Sequence, residues 1–110
     1  MTSDRLQQLL SLLKNNPNDS FILFAIAKEY ENLADSKTAL KYYLKLTEHD
    51  KMYVGTYYHL GKLYEKMNEP GQAFSTYKTG MEVAKSLDDL HAFNELAGAK
   101  LNLGDDEDFE

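Results

Sequence analysis

The sequence predicts an all-α fold, an antiparallel array of about six short helices joined as hairpins. Two observations lead to it. Apolar side chains recur at helical spacing from near the first residue to about residue 101. A similar set of aliphatic, small and tyrosine residues also occurs twice, 34 residues apart, at Ile26, Ala27 and Tyr30 and again at Leu60, Gly61 and Tyr64. Each predicted helix is too short to be stable alone, so the helices must pack on one another.

The first helix is predicted from the stretch SDRLQQLLSLLKNN, with Ser3 or Asp4 as its N-cap. Pro17 cannot continue a helix, so this one should end at about Asn15. Its apolar face consists of Leu6, Leu9, Leu10 and Leu13. Leu12 points away from that face, and we expect it to remain uncovered.

Five more helices are predicted along the rest of the chain. Three run over about residues 18–33, 36–49 and 52–67, and a fourth begins at Pro70, a residue suited to the first turn of a helix. The last follows Asp88 and Asp89 as cap candidates. Its expected inward side chains are Leu90, Phe93, Leu96, Ala97 and Leu101.

The two central hairpins are copies of one unit. Residues 20–53 align with residues 54–87 without a gap. The identical pairs are Lys28/Lys62, Tyr30/Tyr64, Glu31/Glu65, Ala39/Ala73, Tyr43/Tyr77, Glu48/Glu82 and Lys51/Lys85. Two helices in a 34-residue period are typical of one class of helical repeat.

The residue types resemble that class as closely as the spacing does. Tyr57-x2-Leu60-Gly61-x2-Tyr64 followed by Ala73-x3-Tyr77 is similar to the tetratricopeptide repeat (TPR) motif, with tyrosine where tryptophan and phenylalanine are usual. The weaker copy is Leu23-x2-Ile26-Ala27-x2-Tyr30 followed by Ala39-x3-Tyr43. Ala34 departs from the family, which usually has glycine in the turn between the two helices. The resemblance implies a TPR-like α-solenoid.

Small residues explain how the helices of each hairpin approach. Gly61 and Ala73, like Ala27 and Ala39, are expected at the helix crossing, because only small side chains allow close contact. Pro17 lies 34 residues before Lys51 and resembles the end of a preceding repeat. We therefore predict a single domain over residues 1–103. It contains a half repeat (3–19), two repeats (20–53 and 54–87) and a closing helix (88–103).

Charge and composition exclude several classes of function. The net charge is −6, but residues 104–110, GDDEDFE, carry five carboxylates and no basic residue, so the rest of the chain is nearly neutral. No basic stripe exists to neutralise phosphates, which argues against nucleic-acid binding. The longest apolar run is too short to span a membrane, and there is no cysteine. We expect a cytoplasmic protein with an acidic, flexible tail over residues 104–110.

Catalytic and metal-binding patterns are missing from the sequence. His49, His59 and His91 lie far apart, with no carboxylate or cysteine at ligand spacing. Glu31 and Glu65 share a repeat position, but such paired carboxylates are usually solvated charges. We expect neither an enzyme nor a bound cofactor.

The TPR resemblance instead implies an adaptor whose first helices line a concave groove that receives a peptide or a partner segment. The predicted groove residues are Phe21, Phe24, Lys28, Asn32, Tyr58, His59, Lys62, Lys66, His91 and Asn94, with Ala25, Glu31, Glu65 and Glu95 on the same faces. The aromatic side chains and lysines favour a partner with an apolar anchor and carboxylates. A solvated face with scattered aromatic residues is the simpler alternative.

Three further alternatives concern the partner. The family members that bind chaperone tails grip a terminal carboxylate with lysine, asparagine and arginine; the corresponding positions here hold Phe24, Lys28, His59, His91 and Glu95, and none matches. The protein could instead be a self-associating module, a homodimer through the first helix and its uncovered leucine. The acidic tail around Phe109 could also dock in its own groove, although a tail that only confers solubility is the commoner case.

Overall fold

The computed structural model describes residues 3–109 and confirms the all-α fold. Within this range there are six α-helices and one turn of 3₁₀ helix. They are α1 (Asp4–Asn15), α2 (Ser20–Asn32), α3 (Ser36–His49), α4 (Gly55–Lys66), α5 (Pro70–Ser86), α6 (Leu90–Leu103) and the 3₁₀ turn Asp106–Phe109. The helices form two compact units, the first ending at Tyr53 and the second beginning at Val54.

Side-chain caps determine where most of the helices begin. The Ser3 hydroxyl accepts a hydrogen bond from the backbone N–H of Leu6 at 3.0 Å, and Asp19 accepts one from Ile22 at 3.0 Å. Asp35 and Asp89 cap α3 and α6 in the same way. Each bond satisfies an N–H that has no partner within its helix. The cap at Asp19 explains why α2 begins two residues later than the sequence predicted.

Three inter-helix turns share one backbone conformation. Ala34, Asn68 and Asp88 have φ angles of 60°, 64° and 55°, in the left-handed region. In the first turn the N–H of Asp35 donates to the carbonyl of Tyr30 at 2.9 Å, which satisfies a carbonyl at the end of α2. This is the Schellman arrangement, in which glycine is the usual left-handed residue. The turn after α2 therefore forms with alanine where the family usually has glycine.

The first unit has its core where α2 contacts both α1 and α3. Buried apolar side chains from α1 and α2 form one cluster, made of Leu6, Leu9, Ile22, Ala25 and Ile26. An ion pair of 2.9 Å between Arg5 Nε and the Glu29 carboxylate links α1 to α2 at the edge of this cluster. On α2 and α3 the rings of Tyr30 and Tyr42 stack 5.6 Å apart.

The second unit has its core where α5 contacts α4 and α6. The cluster consists of Tyr57, Ala73, Tyr77, Ala84, Leu96 and Ala99. The four small residues predicted at the helix crossings, Ala27, Ala39, Gly61 and Ala73, are all buried.

Among the described helices, none is long and apolar enough to cross a membrane.

The predicted burial of two residues of α6 is wrong. Leu90 is 70% exposed and Leu101 is 73% exposed, whereas Leu96 is buried. Successive residues turn by about 100° around a helix, so Leu90 and Leu101 share one side of α6, about 120–140° from Leu96. The helical spacing of the apolar residues was correct, but α4 and α5 cover a narrower strip of α6 than those residues occupy.

Candidate functional site

The outward face of α2 is built from aromatic and charged residues of the first unit. Phe24 is half-buried, and its ring centroid lies 6.1 Å from that of Tyr43 and 5.7 Å from that of Tyr53. Lys28 is also half-buried, whereas Phe21 is 65% exposed and Asn32 is exposed. Ala25, expected on this face, is buried in the core beside Ile26 instead.

Tyr43 supports this face from α3. Its hydroxyl donates a hydrogen bond to the Glu31 carboxylate, and its ring is fully buried. Burial raises the pKa of Tyr43, and the hydrogen bond and negative charge of Glu31 raise it further. Glu31 is therefore not the fully solvated charge that the sequence predicted, because it is half-buried and accepts a hydrogen bond from a buried phenol.

The outward face of α4 repeats this arrangement in the second unit. Tyr58 is half-buried, with its ring centroid 6.5 Å from that of Tyr77 and 5.7 Å from that of His59. The Lys62 ammonium lies 5.6 Å from the centre of the Tyr58 ring, within cation–π distance, and 3.7 Å from the Glu65 carboxylate. Lys66 is exposed at the end of the helix. The face thus combines an aromatic surface with an oriented positive charge.

Tyr77 occupies the place in α5 that Tyr43 occupies in α3. It is fully buried, its hydroxyl donates to the Glu65 carboxylate, and its pKa is raised by burial and then by that hydrogen bond. Gly61 lies against this ring, and a Cβ at Gly61 would overlap the ring carbons of Tyr77. The glycine therefore allows α4 and α5 to approach with the tyrosine between them.

The predicted residues on α6 are exposed and less organised. His91, Asn94 and Glu95 are all solvent-exposed. His91 Nε2 lies 3.9 Å from the Glu95 carboxylate, one helical turn away, so the expectation that no carboxylate lies at ligand spacing from a histidine is wrong for His91. In the part of the chain that the structure describes, no three His, Asp or Glu side chains come together as a metal site would require.

Sequence reasoning missed the tyrosine–glutamate pairs that support the two faces. A signal for them was present, because in both units a glutamate of the first helix precedes a tyrosine of the second by 12 residues. This separation crosses a turn and is not a helical period, so a search for helical faces did not detect it. The replacement of the family's usual phenylalanine by tyrosine at Tyr77 is explained by the acceptor at Glu65.

Comparison with protein families agrees with this geometry. The sequence profile of the tetratricopeptide repeat matches residues 22–51 and again residues 54–86. The chain belongs to the tetratricopeptide repeat family. Its two TPR repeats are thus α2–α3 and α4–α5, and α6 follows them.

Solved structures place the chain among small TPR proteins. The solution NMR structure of a tetratricopeptide repeat domain protein from Salinibacter ruber is 41% identical, with a TM-score of 0.77, over 80% of this chain and 89% of that one. A crystal structure of a tetratricopeptide repeat domain protein from S. ruber is also 41% identical, with a TM-score of 0.74, over 77% of this chain and 96% of that one. No curated protein matches the sequence.

A more distant structure supports the fold alone. The solution structure of a protein from Bordetella parapertussis has a TM-score of 0.79 at 20% identity, over 94% of this chain and 89% of that one.

TPR repeats are scaffolds without catalytic machinery of their own, and they generally mediate protein–protein interaction.

Proposed function

We propose that this TPR protein is an adaptor that binds a peptide or a partner segment through the outward faces of its first helices, α2 in the first unit and α4, followed by α6, in the second. The observation that carries the proposal is the repeated arrangement of an aromatic ring, a lysine and a glutamate on each first helix. In the first repeat these are Phe24, Lys28 and Glu31. A buried tyrosine of the second helix supports each set, so the side chains are held in place before a partner arrives.

The chemistry of these faces favours a segment with an apolar anchor flanked by carboxylates. Phe24 and Tyr58 are half-buried, so each can add contact area without losing much conformational freedom. Lys28 and Lys62 supply positive charge, whereas Glu31 and Glu65 are engaged with buried tyrosines. The proposal assigns a binding role and no catalytic step, and the cytoplasmic location stays a prediction of the sequence.

A peptide library displayed on phage and selected against the full-length protein tests this proposal. Enriched sequences should combine an aromatic or aliphatic residue with aspartate or glutamate. A selected peptide should then bind the double variant Lys28→Glu/Lys62→Glu at least about tenfold more weakly than the wild type, a loss of about 1.4 kcal/mol. Isothermal titration calorimetry gives both dissociation constants.

A matched control separates the faces from overall charge. Lys37 and Lys41 are exposed on α3, a second helix, so Lys37→Glu/Lys41→Glu makes the same change in net charge away from the proposed site. Its affinity should stay within about twofold of the wild type, because exposed charges at a distance are screened. Equal weakening by both double variants would contradict binding on α2 and α4.

Self-association through α1 is the second candidate, and one observation favours it. Leu12 is 50% exposed, as the sequence predicted. The neighbouring residues Gln7, Gln8 and Ser11 are exposed and polar, however, so the apolar area is small for a stable dimer. A homodimer through this helix stays a prediction, which analytical ultracentrifugation at high micromolar concentration checks directly.

A further inference from the structure

The C-terminal acidic segment packs against the second unit. Gly104 has a φ angle of 141°, which residues with a side chain rarely adopt, and the chain turns there after α6. A Cβ at Gly104 would lie 3.3 Å from the Phe109 ring and closer still to the Asp108 carboxylate, so the turn requires glycine. The backbone N–H of Asp108 donates to the Asp105 carbonyl at 3.1 Å and closes the 3₁₀ turn, and the Asp108 carboxylate accepts a hydrogen bond of 3.0 Å from the N–H of Asp105.

Phe109 and Asp106 make the contacts that hold this segment. The rings of Phe109 and Phe74 stack with centroids 4.4 Å apart and planes 21° apart. The Lys100 ammonium lies 4.6 Å from the centre of the Phe74 ring and 3.3 Å from the Asp106 carboxylate. Lys100 therefore binds an acidic side chain of the segment, while Phe74, which lies beneath the same lysine, stacks on the segment's aromatic ring. Together these two residues select an acidic segment with an aromatic side chain.

These contacts are not on the face proposed above for α6. Lys100 follows His91 by nine residues, which places it about 180° around the helix from His91. The docking in the TPR groove that the sequence suggested as an alternative is therefore wrong for Phe109, which stacks on α5. The acidic segment contacts Phe74 and Lys100 of the second unit, and Lys78 and Met81 line the cleft beside Asp106. We call these four residues the acceptor surface.

The acceptor surface extends beyond the residues that the segment covers. A cleft of about 300 Å³ next to Asp106 is lined by Lys78, Met81, Glu82, Lys85, Phe93 and Lys100. It offers three lysines and one glutamate around apolar side chains. A ligand with more carboxylates than the chain's own segment could fill it and gain contacts that the segment lacks.

We propose that the acceptor surface is a binding site for an acidic segment carrying an aromatic side chain. The chain's own residues 105–109 occupy it until such a segment displaces them. The tethered segment acts at an effective concentration in the millimolar range, so it excludes weak ligands and yields to stronger ones. This site lies on α5 and α6 and shares no residue with the proposed faces of α2 and α4.

The test uses the full-length chain with its own segment released. In the ¹⁵N-labelled variant Asp106→Ala/Phe109→Ala the stacking ring and the ion pair are removed. A synthetic peptide with the sequence GDDEDFE is then titrated and followed by NMR. We expect saturable shifts at Phe74, Lys78, Met81 and Lys100 with a dissociation constant in the low millimolar range, and at least about twofold weaker binding to the wild type.

Two controls decide between recognition and simple charge attraction. The peptide with alanine in place of phenylalanine should fail to saturate. Adding Lys100→Glu to the Asp106→Ala/Phe109→Ala variant should weaken peptide binding at least about fivefold, whereas adding Lys41→Glu on α3 should leave it unchanged. The proposal is overturned if no saturable shifts appear at the acceptor surface, or if the alanine peptide binds equally well. Neither result would bear on Lys28 and Lys62, so the two binding proposals fail separately.

Discussion

The two TPR repeats share a buried tyrosine that is hydrogen-bonded to a half-buried glutamate, but they differ in how they begin and turn. In both, a tyrosine of the second helix donates to a glutamate of the first, at Tyr43 and Glu31 and at Tyr77 and Glu65. In the first repeat, aspartates cap both helices. In the second, neither helix has a side-chain cap, and α5 begins with Pro70.

The interiors of the hairpins differ in a related way. The first repeat has Ala27 where the second has Gly61 against the Tyr77 ring. It also stacks Tyr30 on Tyr42, whereas the position equivalent to Tyr42 is Thr76, whose hydroxyl donates to the Gln72 carbonyl. Several local solutions therefore form the same hairpin, while the tyrosine–glutamate pair is common to both repeats.

The largest expected effect is alkaline destabilisation through the shared pair. The pKa of Tyr43 and that of Tyr77 are raised by burial in the folded protein, whereas an unfolded tyrosine titrates near 10. Stability from these groups is fully present below about pH 10 and is lost above it, because only the unfolded state then releases the proton. Each tyrosine should lower the unfolding free energy by about 1.4 kcal/mol per pH unit, so the two together remove about 3 kcal/mol by pH 11.

Phenylalanine variants show whether the two repeats contribute equally to this loss. Tyr43→Phe and Tyr77→Phe should each remove about half of the loss that this pair causes, at a cost of about 1 kcal/mol at pH 7 for the lost hydrogen bond. Burial also raises the pKa of Tyr42, Tyr53 and Tyr64, so a smaller slope should persist in the double variant. Urea unfolding of the wild type, both single variants and the double variant between pH 7 and pH 11 provides the comparison. Equal pH slopes in the wild type and the double variant would show that Tyr43 and Tyr77 do not carry the effect.

The next effect concerns the difference between Gly61 and Ala27. Gly61→Ala should destabilise the protein by about 1–3 kcal/mol, because the new methyl group overlaps a ring that is buried and bonded to Glu65. Ala27→Gly should also destabilise it, by about 1 kcal/mol, through lower helix propensity. Opposite exchanges would thus have the same sign, which propensity alone does not allow.

Gly98 is the control for this comparison. It lies exposed within α6, and a Cβ there would meet nothing within 4 Å. Gly98→Ala should therefore stabilise the protein by about 1 kcal/mol. Urea unfolding at pH 7 measures all three variants, and a stabilising Gly61→Ala would refute the close approach of α4 and α5 at this point.

The sequence predicted the helices better than the surfaces they present. Pro17, Pro70 and the capping aspartates are local signals, so most helix boundaries followed within about three residues. The predicted burial of Leu90 and Leu101 was wrong because periodicity gives the direction of a face, but not how much of that face neighbouring helices cover.

The candidate site was predictable only in part, for similar reasons. The positions of Phe24, Lys28, Tyr58 and Lys62 came from the repeat register, and their use in binding stays a proposal. The stacking of Phe109 on Phe74 joins residues 35 positions apart, through a segment whose composition is typical of a solvated tail. Neither helical period nor repeat spacing relates those two residues, so only the folded structure brings them together.

The smallest effect tests the turns, where the repeats differ at Ala34 and Asn68. Both residues are left-handed, which is costly for alanine because of its Cβ but tolerated by asparagine. Ala34→Gly should relieve this strain and raise the unfolding free energy by about 0.5–1 kcal/mol, the gain being reduced by the greater freedom of glycine in the unfolded chain. Asn68→Gly should change it by less than about 0.5 kcal/mol, and Ala34→Val should lower it, because a β-branched side chain fits this region worst. Thermal and urea unfolding at pH 7 rank the three variants, and a destabilising Ala34→Gly would contradict a strained turn in the first repeat.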